Sequence, residues 1–213
     1  MGERLSLAQC FSPPERALFK QGYRYIAGID EAGRGPLAGP VVAASVILPR
    51  QHSLPEVLDS KKLSPSLREE LFHVIRRESL SFGIGIVDQW EIDRINIHRA
   101  SLRAMEIAVS HLDGPVDYLL IDGIHSIKSS IPQLPVKHGD FLSPVIGAAS
   151  VLAKVIRDRL MERYHQLYPL YNFAKNKGYG TEEHREALQA YGHCSLHRKT
   201  FVGVLSQRDL FAF

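Results

Sequence analysis

The sequence predicts an α/β fold: a mixed five-stranded sheet flanked by helices, with a helical portion at the C-terminus. Three observations lead there. Apolar runs rich in strand formers lie close together at residues 25–30, 41–48 and 81–87, which suits antiparallel neighbours. Helical and strand patterns then alternate, with strands at 118–122 and 134–136, which suits parallel addition to the sheet. A chain of 213 residues with 45% hydrophobic and 23% charged content also has enough apolar material for one sizeable core.

Residues 1–22, with Pro13 and Pro14, read as an arm carrying a short helix over 14–19. The first strand, YIAGID, ends on Asp30, and a glycine-rich turn over 33–40 leads into the second. Ser64 before Pro65 starts a helix, which Leu67, Leu71, Val74 and Ile75 carry at helical spacing to about Glu78. The third strand, SFGIGIV, precedes Asp88, the cap of a short helix reaching Ile95; a longer helix follows over 98–111. A long helix over 144–164 opens on the small residues Gly147, Ala148, Ala149 and Ser150. Thr181 caps a last helix, with Glu182 and Glu183 placed well against its dipole. The expected layout is an arm (1–22), a catalytic core (23–168) and a C-terminal helical portion with a tail (169–213).

No run approaches the roughly 20 apolar residues of a membrane span. The opening MGERLSLAQCFSPPER has no apolar stretch of the secretory kind. Two distant cysteines, Cys10 and Cys194, are expected as free thiols in a reducing compartment, so a cytoplasmic protein is expected. The net charge of +3 is unevenly spread: from Lys154 onward ten Lys/Arg face six Asp/Glu, a net +4, which leaves −1 for the first 153 residues. An acidic site beside a basic flank is what phosphodiester chemistry requires.

Asp30 and Glu31 follow an apolar strand and precede a flexible GRGPLAG segment. Neighbouring strand residues point to opposite faces, so both serve one site only if the strand ends or bulges there; otherwise they are two solvated acids. Asp122 ends YLLID before Gly123 and is either a site acid or the start of an Asx turn. Asp140, after Gly139, precedes the long helix. Converging at the carboxyl edge of the sheet, these four oxygen donors would suit Mg²⁺ or Mn²⁺. Gly33, Arg34 and Gly35 make a poor dinucleotide fingerprint, because Pro36 and Pro40 interrupt the helix it needs. They serve better as a turn that lets backbone amides approach a sugar-phosphate. Lys154, Arg157, Arg159 and Arg163 read as a solvated helix face or as phosphate contacts. Tyr179, between Gly178 and Gly180 with Lys175 and Lys177 just before, is either packed under its loop or presented for stacking. His193, Cys194 and His197 make a weak metal motif and are expected to be structural.

These stretches resemble ribonuclease HII, the bacterial type 2 ribonuclease H. The resemblance rests on GIDEAGRGPLAGPVVAASVIL, DSKKLS, LLIDG and HGDFLSPVIGAASVLAKVIRDRLM, extended by KGYGT and HRKTF, and covers about residues 23–203. It implies an RNase H-like fold and an endonuclease that cleaves the RNA strand of RNA/DNA hybrids and cuts 5′ of ribonucleotides embedded in duplex DNA. It implies Asp30, Glu31, Asp122 and Asp140 as catalytic acids holding Mn²⁺ or Mg²⁺ in a two-ion mechanism that leaves 5′-phosphate and 3′-hydroxyl ends. Gly33, Arg34 and Gly35 would read the ribose 2′-OH and Tyr179 would stack on the next deoxyribose. Lys61, Lys62 and Lys154 are further candidates for substrate contact. The loop GIHSIKSS after Asp122 departs from the family pattern, in which an Asn is expected soon after the glycine, and Gly147 stands in place of the usual Ala. The tail from Gln207 to Phe211, QRDLF, resembles peptides that dock on the replication sliding clamp; packing of Leu210, Phe211 and Phe213 on the domain is the competing reading. Two other classes stand against the nuclease: a non-catalytic nucleic-acid-binding module on the same fold, and a nucleotide-cofactor enzyme using the glycine turn.

Overall fold

A computed structural model describes residues 13–54 and 63–205. Five strands form one sheet in the order β3-β2-β1-β4-β5. β1 (Ile26–Ala32), β2 (Val41–Ile47) and β3 (Ser81–Val87) pair antiparallel, whereas β4 (Tyr118–Asp122) and β5 (Gln133–Val136) add parallel to β1. The expected mixed sheet is therefore present, with the parallel half added beside β1.

Side chains alternate across the sheet and build two cores. Ile26, Ala44, Val46 and Leu120 meet α6 (Pro144–Leu167) together with α1 (Pro14–Lys20) and α2 (Pro65–Glu78). Ala27, Ile29, Ala43, Leu119 and Ile121 meet α3 (Gln89–Ile95) and α4 (Ile97–Ser110). The caps read from the sequence are formed: Ser64, Asp88 and Thr181 each accept an amide of the first turn of α2, α3 and α8 (Glu182–Tyr191). Asp140 lies in a one-turn helix, α5 (Gly139–Leu142), and Ser143 caps α6 through the amide of Ile146. The arm is not loose where it is described: Leu18 of α1 is in the core, and the buried Glu15 accepts from Ser143 Oγ and from the amide of Val145. That carboxylate faces the positive end of the α6 dipole, while burial pushes its pKa up.

A third cluster joins the far end of α6 to the C-terminal portion. Met161, Tyr171, Phe173, Ala187, Leu188 and Leu196 pack around Ala38 of the glycine-rich turn. A short α7 (Phe173–Asn176) lies between α6 and α8. The turn is thereby trapped between the sheet and the C-terminal helices.

α6 approaches β1 as closely as it does because Gly28 has no side chain. A Cβ there would lie 2.1 Å from the carbonyl carbon of Val145 and 2.4 Å from the amide nitrogen of Ile146. Gly28→Ala should therefore destabilise the protein by about 2 kcal/mol or more, by overpacking against backbone that has nowhere to move. Urea unfolding checks this, and an unchanged midpoint would contradict the packing described.

Candidate active site

β1 does not break at Asp30. It pairs with β2 through Glu31 and Ala32, opposite Ala43 and Val42, so the expected strand end or bulge is absent. Pairing with β4 stops earlier, at Ile29 and Ile121, because β4 ends on Asp122. β1 thus projects past its parallel neighbour, and its two acids gather around an open notch from opposite faces. Asp30 faces α6, where Ser150 bonds its carboxylate, and its Oδ1 accepts the amide of Glu31 at 2.7 Å. Glu31 faces α4 and lines a cleft of about 200 Å³ with Arg34, His98, Ser101, Asp122 and His125 among its walls.

The electrostatics follow from crowding acids in a dry place. Burial, then Glu31, then Asp122 hold the Asp30 pKa well above the usual carboxylate range. Burial raises Glu31 as well, opposed by Arg34, whose Nη1 lies 3.2 Å from Glu31 Oε1. Asp122 is held by the amide of Gly139, which donates to its Oδ1 at 2.7 Å. That bond also ties down the start of α5, where Asp140 is buried. Asp30, Glu31 and Asp122 are therefore in electrostatic contact, and Asp140 is anchored next to the residue that binds Asp122.

In chemical kind this donor set fits a hard divalent cation. Three carboxylates repel one another, and Glu31 Oε2 is buried with no hydrogen-bond partner. Among the described residues, however, no three His, Cys, Asp or Glu side chains stand close enough to hold an ion as they are. Closing on a metal would require side-chain rotation toward the notch.

Beside the acids, the glycine turn is held from behind by two buried arginines. Arg157 donates to the carbonyls of Pro40 (3.0 Å), Lys177 (2.9 Å) and Ala38 (3.2 Å). Arg198 donates to those of Gly39 (3.0 Å), Arg34 (2.9 Å) and Gly33 (2.6 Å). Burial and the neighbouring Arg157 push the Arg198 pKa down to about 9, so it remains charged at neutral pH. A trans peptide points its N–H opposite to its C=O. With the carbonyls of Gly33 and Arg34 drawn inward, the amides of Arg34 and Gly35 must point away from the guanidinium, and both residues are exposed. Gly33 is required here: its φ is +98°, and a Cβ would sit 2.0 Å from Arg157 Nε.

Tyr179 is half-exposed and lies against this turn, with its Cε1 3.6 Å from where a Cβ on Gly35 would be. The basic face read on the long helix is corrected at Arg157, which is buried among carbonyls. Arg159 bonds Glu69 and lies over the Phe72 ring, and half-buried Lys154 is paired with Asp158 at 2.7 Å. Lys61, Lys62 and the tail from Gln207 to Phe211 lie outside the described residues. His193, Cys194 and His197 form no metal group; His197 instead faces His184. The sequence reading missed Arg198, for which HRKTF was the available signal, and the cleft pair His98 and His125, which meet edge to face at 4.5 Å.

Comparison with known proteins agrees with this geometry. The family model for Ribonuclease HII matches residues 27–204. The ribonuclease HII of Syntrophus aciditrophicus is 57% identical over 187 residues, 88% of each chain. That of Caldanaerobacter subterraneus subsp. tengcongensis is 57% identical over 188 residues, 88% of this chain and 78% of its own. Among solved structures, the ribonuclease H2 of Pyrococcus horikoshii superposes with a TM-score of 0.73 at 24% identity, covering 84% of this chain and 94% of the other, which speaks for the fold. The RNase HII in a PCNA complex from Archaeoglobus fulgidus gives 0.67 at 26% identity, over 87% of this chain and all of that one. The acids at the sheet notch and the turn beside them thus sit in a chain that belongs to the ribonuclease HII family of endoribonucleases.

Proposed function

We propose that this endonuclease cleaves the RNA strand of RNA/DNA hybrids and cuts 5′ of single ribonucleotides within duplex DNA, leaving 5′-phosphate and 3′-hydroxyl ends. The observation that carries the reading is one juxtaposition: the acids of the notch lie beside the outward amides of Arg34 and Gly35. Asp30, Glu31, Asp122 and Asp140 would hold Mn²⁺ or Mg²⁺. Two such ions, when bound, supply the Lewis acidity that activates a water and stabilises the departing 3′-oxygen. The unsatisfied Oε2 of Glu31 and the mutual repulsion of Asp30, Glu31 and Asp122 favour that occupancy. A related RNase HIII has been solved in complex with Mn²⁺; at 15% identity it supports the fold alone, so the ion here rests on the acids themselves.

The remaining roles follow from position. The 2′-OH is the group that separates RNA from DNA, and the amides of Arg34 and Gly35 would meet it. Exposed Arg34 reaches the mouth of the cleft, where a backbone phosphate would neutralise it together with Glu31. The Tyr179 ring would stack on the sugar that follows, favouring an RNA-to-DNA junction. A non-catalytic binding module would have no use for a buried Asp30 whose pKa is raised by burial, then by Glu31, then by Asp122. The tail from Gln207 to Phe211 would bind a sliding clamp. The Archaeoglobus fulgidus structure pairs a family member with PCNA, and a terminal Leu/Phe peptide suits a hydrophobic groove.

Two measurements test these readings. A duplex with one embedded ribonucleotide should be cut by the wild type with Mn²⁺ or Mg²⁺ and left intact with EDTA. Asp122→Asn should cut it at least about a hundredfold more slowly, as expected when a group that holds the catalytic ion is lost. Undiminished cleavage by the variant, or none by the wild type, would refute the assignment. Removing residues 207–213 should abolish clamp capture in a pull-down; capture that persists would remove the tail from the account.

A further inference from the structure

We propose that His184 and His197 are positioning residues for Tyr179, forming a buried chain of hydrogen bonds that fixes the backbone from which its ring is presented. The inference rests on the substrate role given to Tyr179 above. The chain of bonds is continuous. The amide of Cys194 donates to His197 Nδ1 at 3.0 Å, with Cys194 Sγ 3.2 Å from the same nitrogen. His197 Nε2 and His184 Nε2 are 3.0 Å apart, and His184 Nδ1 is 2.9 Å from the carbonyl oxygen of Tyr179.

One tautomer pair satisfies every link. Nδ1 of His197 receives an N–H, so it carries a lone pair and the proton sits on Nε2. That proton is donated to His184 Nε2, which leaves the His184 proton on Nδ1, aimed at Tyr179. Both rings must be neutral, because a second proton on either would set two N–H groups against each other. The surroundings enforce this. Both imidazoles are buried, and the rings of Tyr171 and Phe173 wall them in at 4.8 Å from His197 and 5.5 Å from His184. Burial, and next the facing His184, lower the His197 pKa to about 4, and burial lowers that of His184.

Tyr179 needs such a restraint. It stands between two glycines, and Gly178 has a φ of +83°, so local backbone preference does little to hold it. Its carbonyl is fixed by two donors, the amide of Thr181 at 2.8 Å and His184 Nδ1. The other end of the relay is anchored in the wall of the site: His197 bridges Ala38 of the glycine turn, and the next residue, Arg198, holds the carbonyls of Gly33 and Arg34. The Leu37 amide ties the turn to the Gly178 carbonyl at 2.8 Å, and the two histidines fix the next carbonyl, that of Tyr179, relative to the same turn.

The test is the ratio of cleavage rates on a single-ribonucleotide duplex and on a continuous RNA/DNA hybrid, both with Mn²⁺. His197→Leu, which has no donor for His184, should lower that ratio about tenfold, the scale of a misplaced substrate contact. His197→Gln keeps an N–H toward His184 and should stay within about threefold of wild type, and His197→Leu added to Tyr179→Ala should lower the ratio no further, as for coupled residues. If Tyr179→Ala shifts the ratio but His197→Leu does not, or if the two effects add in full, the relay is wrong and the Tyr179 reading stands. If Tyr179→Ala leaves the ratio unchanged, Tyr179 has no such role and both ideas fall. Should the Leu variant not fold, ¹⁵N NMR of the wild-type imidazoles at neutral pH decides. Protons on His197 Nε2 and His184 Nδ1 are expected, and any other pair of tautomers overturns the proposal.

Discussion

Two buried guanidiniums organise the glycine turn beside the acids. Arg157 comes from the long helix and Arg198 from the C-terminal portion, and between them they bind the carbonyls of Gly33, Arg34, Ala38, Gly39, Pro40 and Lys177. Burying a charge is expensive unless every donor finds an acceptor, and a planar fork of five N–H groups can meet several carbonyls at once. The consequence runs outward. A turn with its oxygens drawn in must present amides on its other side, and it must use glycine where a Cβ would meet Arg157. The exposed arginine of the turn is thereby left free to bond Glu31. Backbone bonds from Leu37 to Gly178 and from Gly39 to Leu196 hold the far end of the turn, and the two arginines fix the carbonyls at the end beside the acids.

The acids depend on a different constraint, the mixed topology of the sheet. An antiparallel partner carries β1 out through Ala32, while its parallel neighbour stops at Asp122. The resulting step lets residues from opposite faces of one strand share a site that a regular sheet edge would keep apart. Gly139 then couples this edge to α5 by donating to Asp122, so the last acid is set by the same bond that holds the third. Repulsion among these carboxylates is a standing cost to the fold, one that a bound cation would relieve.

Much of this was legible in the sequence because it is local. Strands, helix starts and the caps Ser64, Asp88 and Thr181 follow from short-range patterns, and Asp122 before Gly123 marks the end of β4. What was not legible depends on partners far along the chain. The spacing of Lys154, Arg157, Arg159 and Arg163 reads as one solvated face or a set of phosphate contacts, yet Arg157 turns inward because the carbonyls of Ala38, Pro40 and Lys177 need it. Asp30 and Glu31 were expected at a strand end; only the register against β4 shows that they reach one notch with the strand intact. His197 is structural, as its weak metal motif implied, but its partner His184, 13 residues earlier, cannot be read from spacing.

The arginine fork behind the turn, rather than positive charge alone, sets the amides beside the acids. Arg198→Lys separates the two, because lysine keeps the charge and cannot span three carbonyls. The decisive measurement is cleavage of a duplex with one embedded ribonucleotide by this variant, taken with its thermal stability in the presence and absence of Mn²⁺. A folded variant that keeps its Mn²⁺-induced stabilisation, with cleavage reduced about a hundredfold, is the predicted result, since the acids are untouched and only the presentation of the amides is lost. Wild-type cleavage by the folded variant, or loss of the Mn²⁺ response along with activity, would rule out this role of the fork.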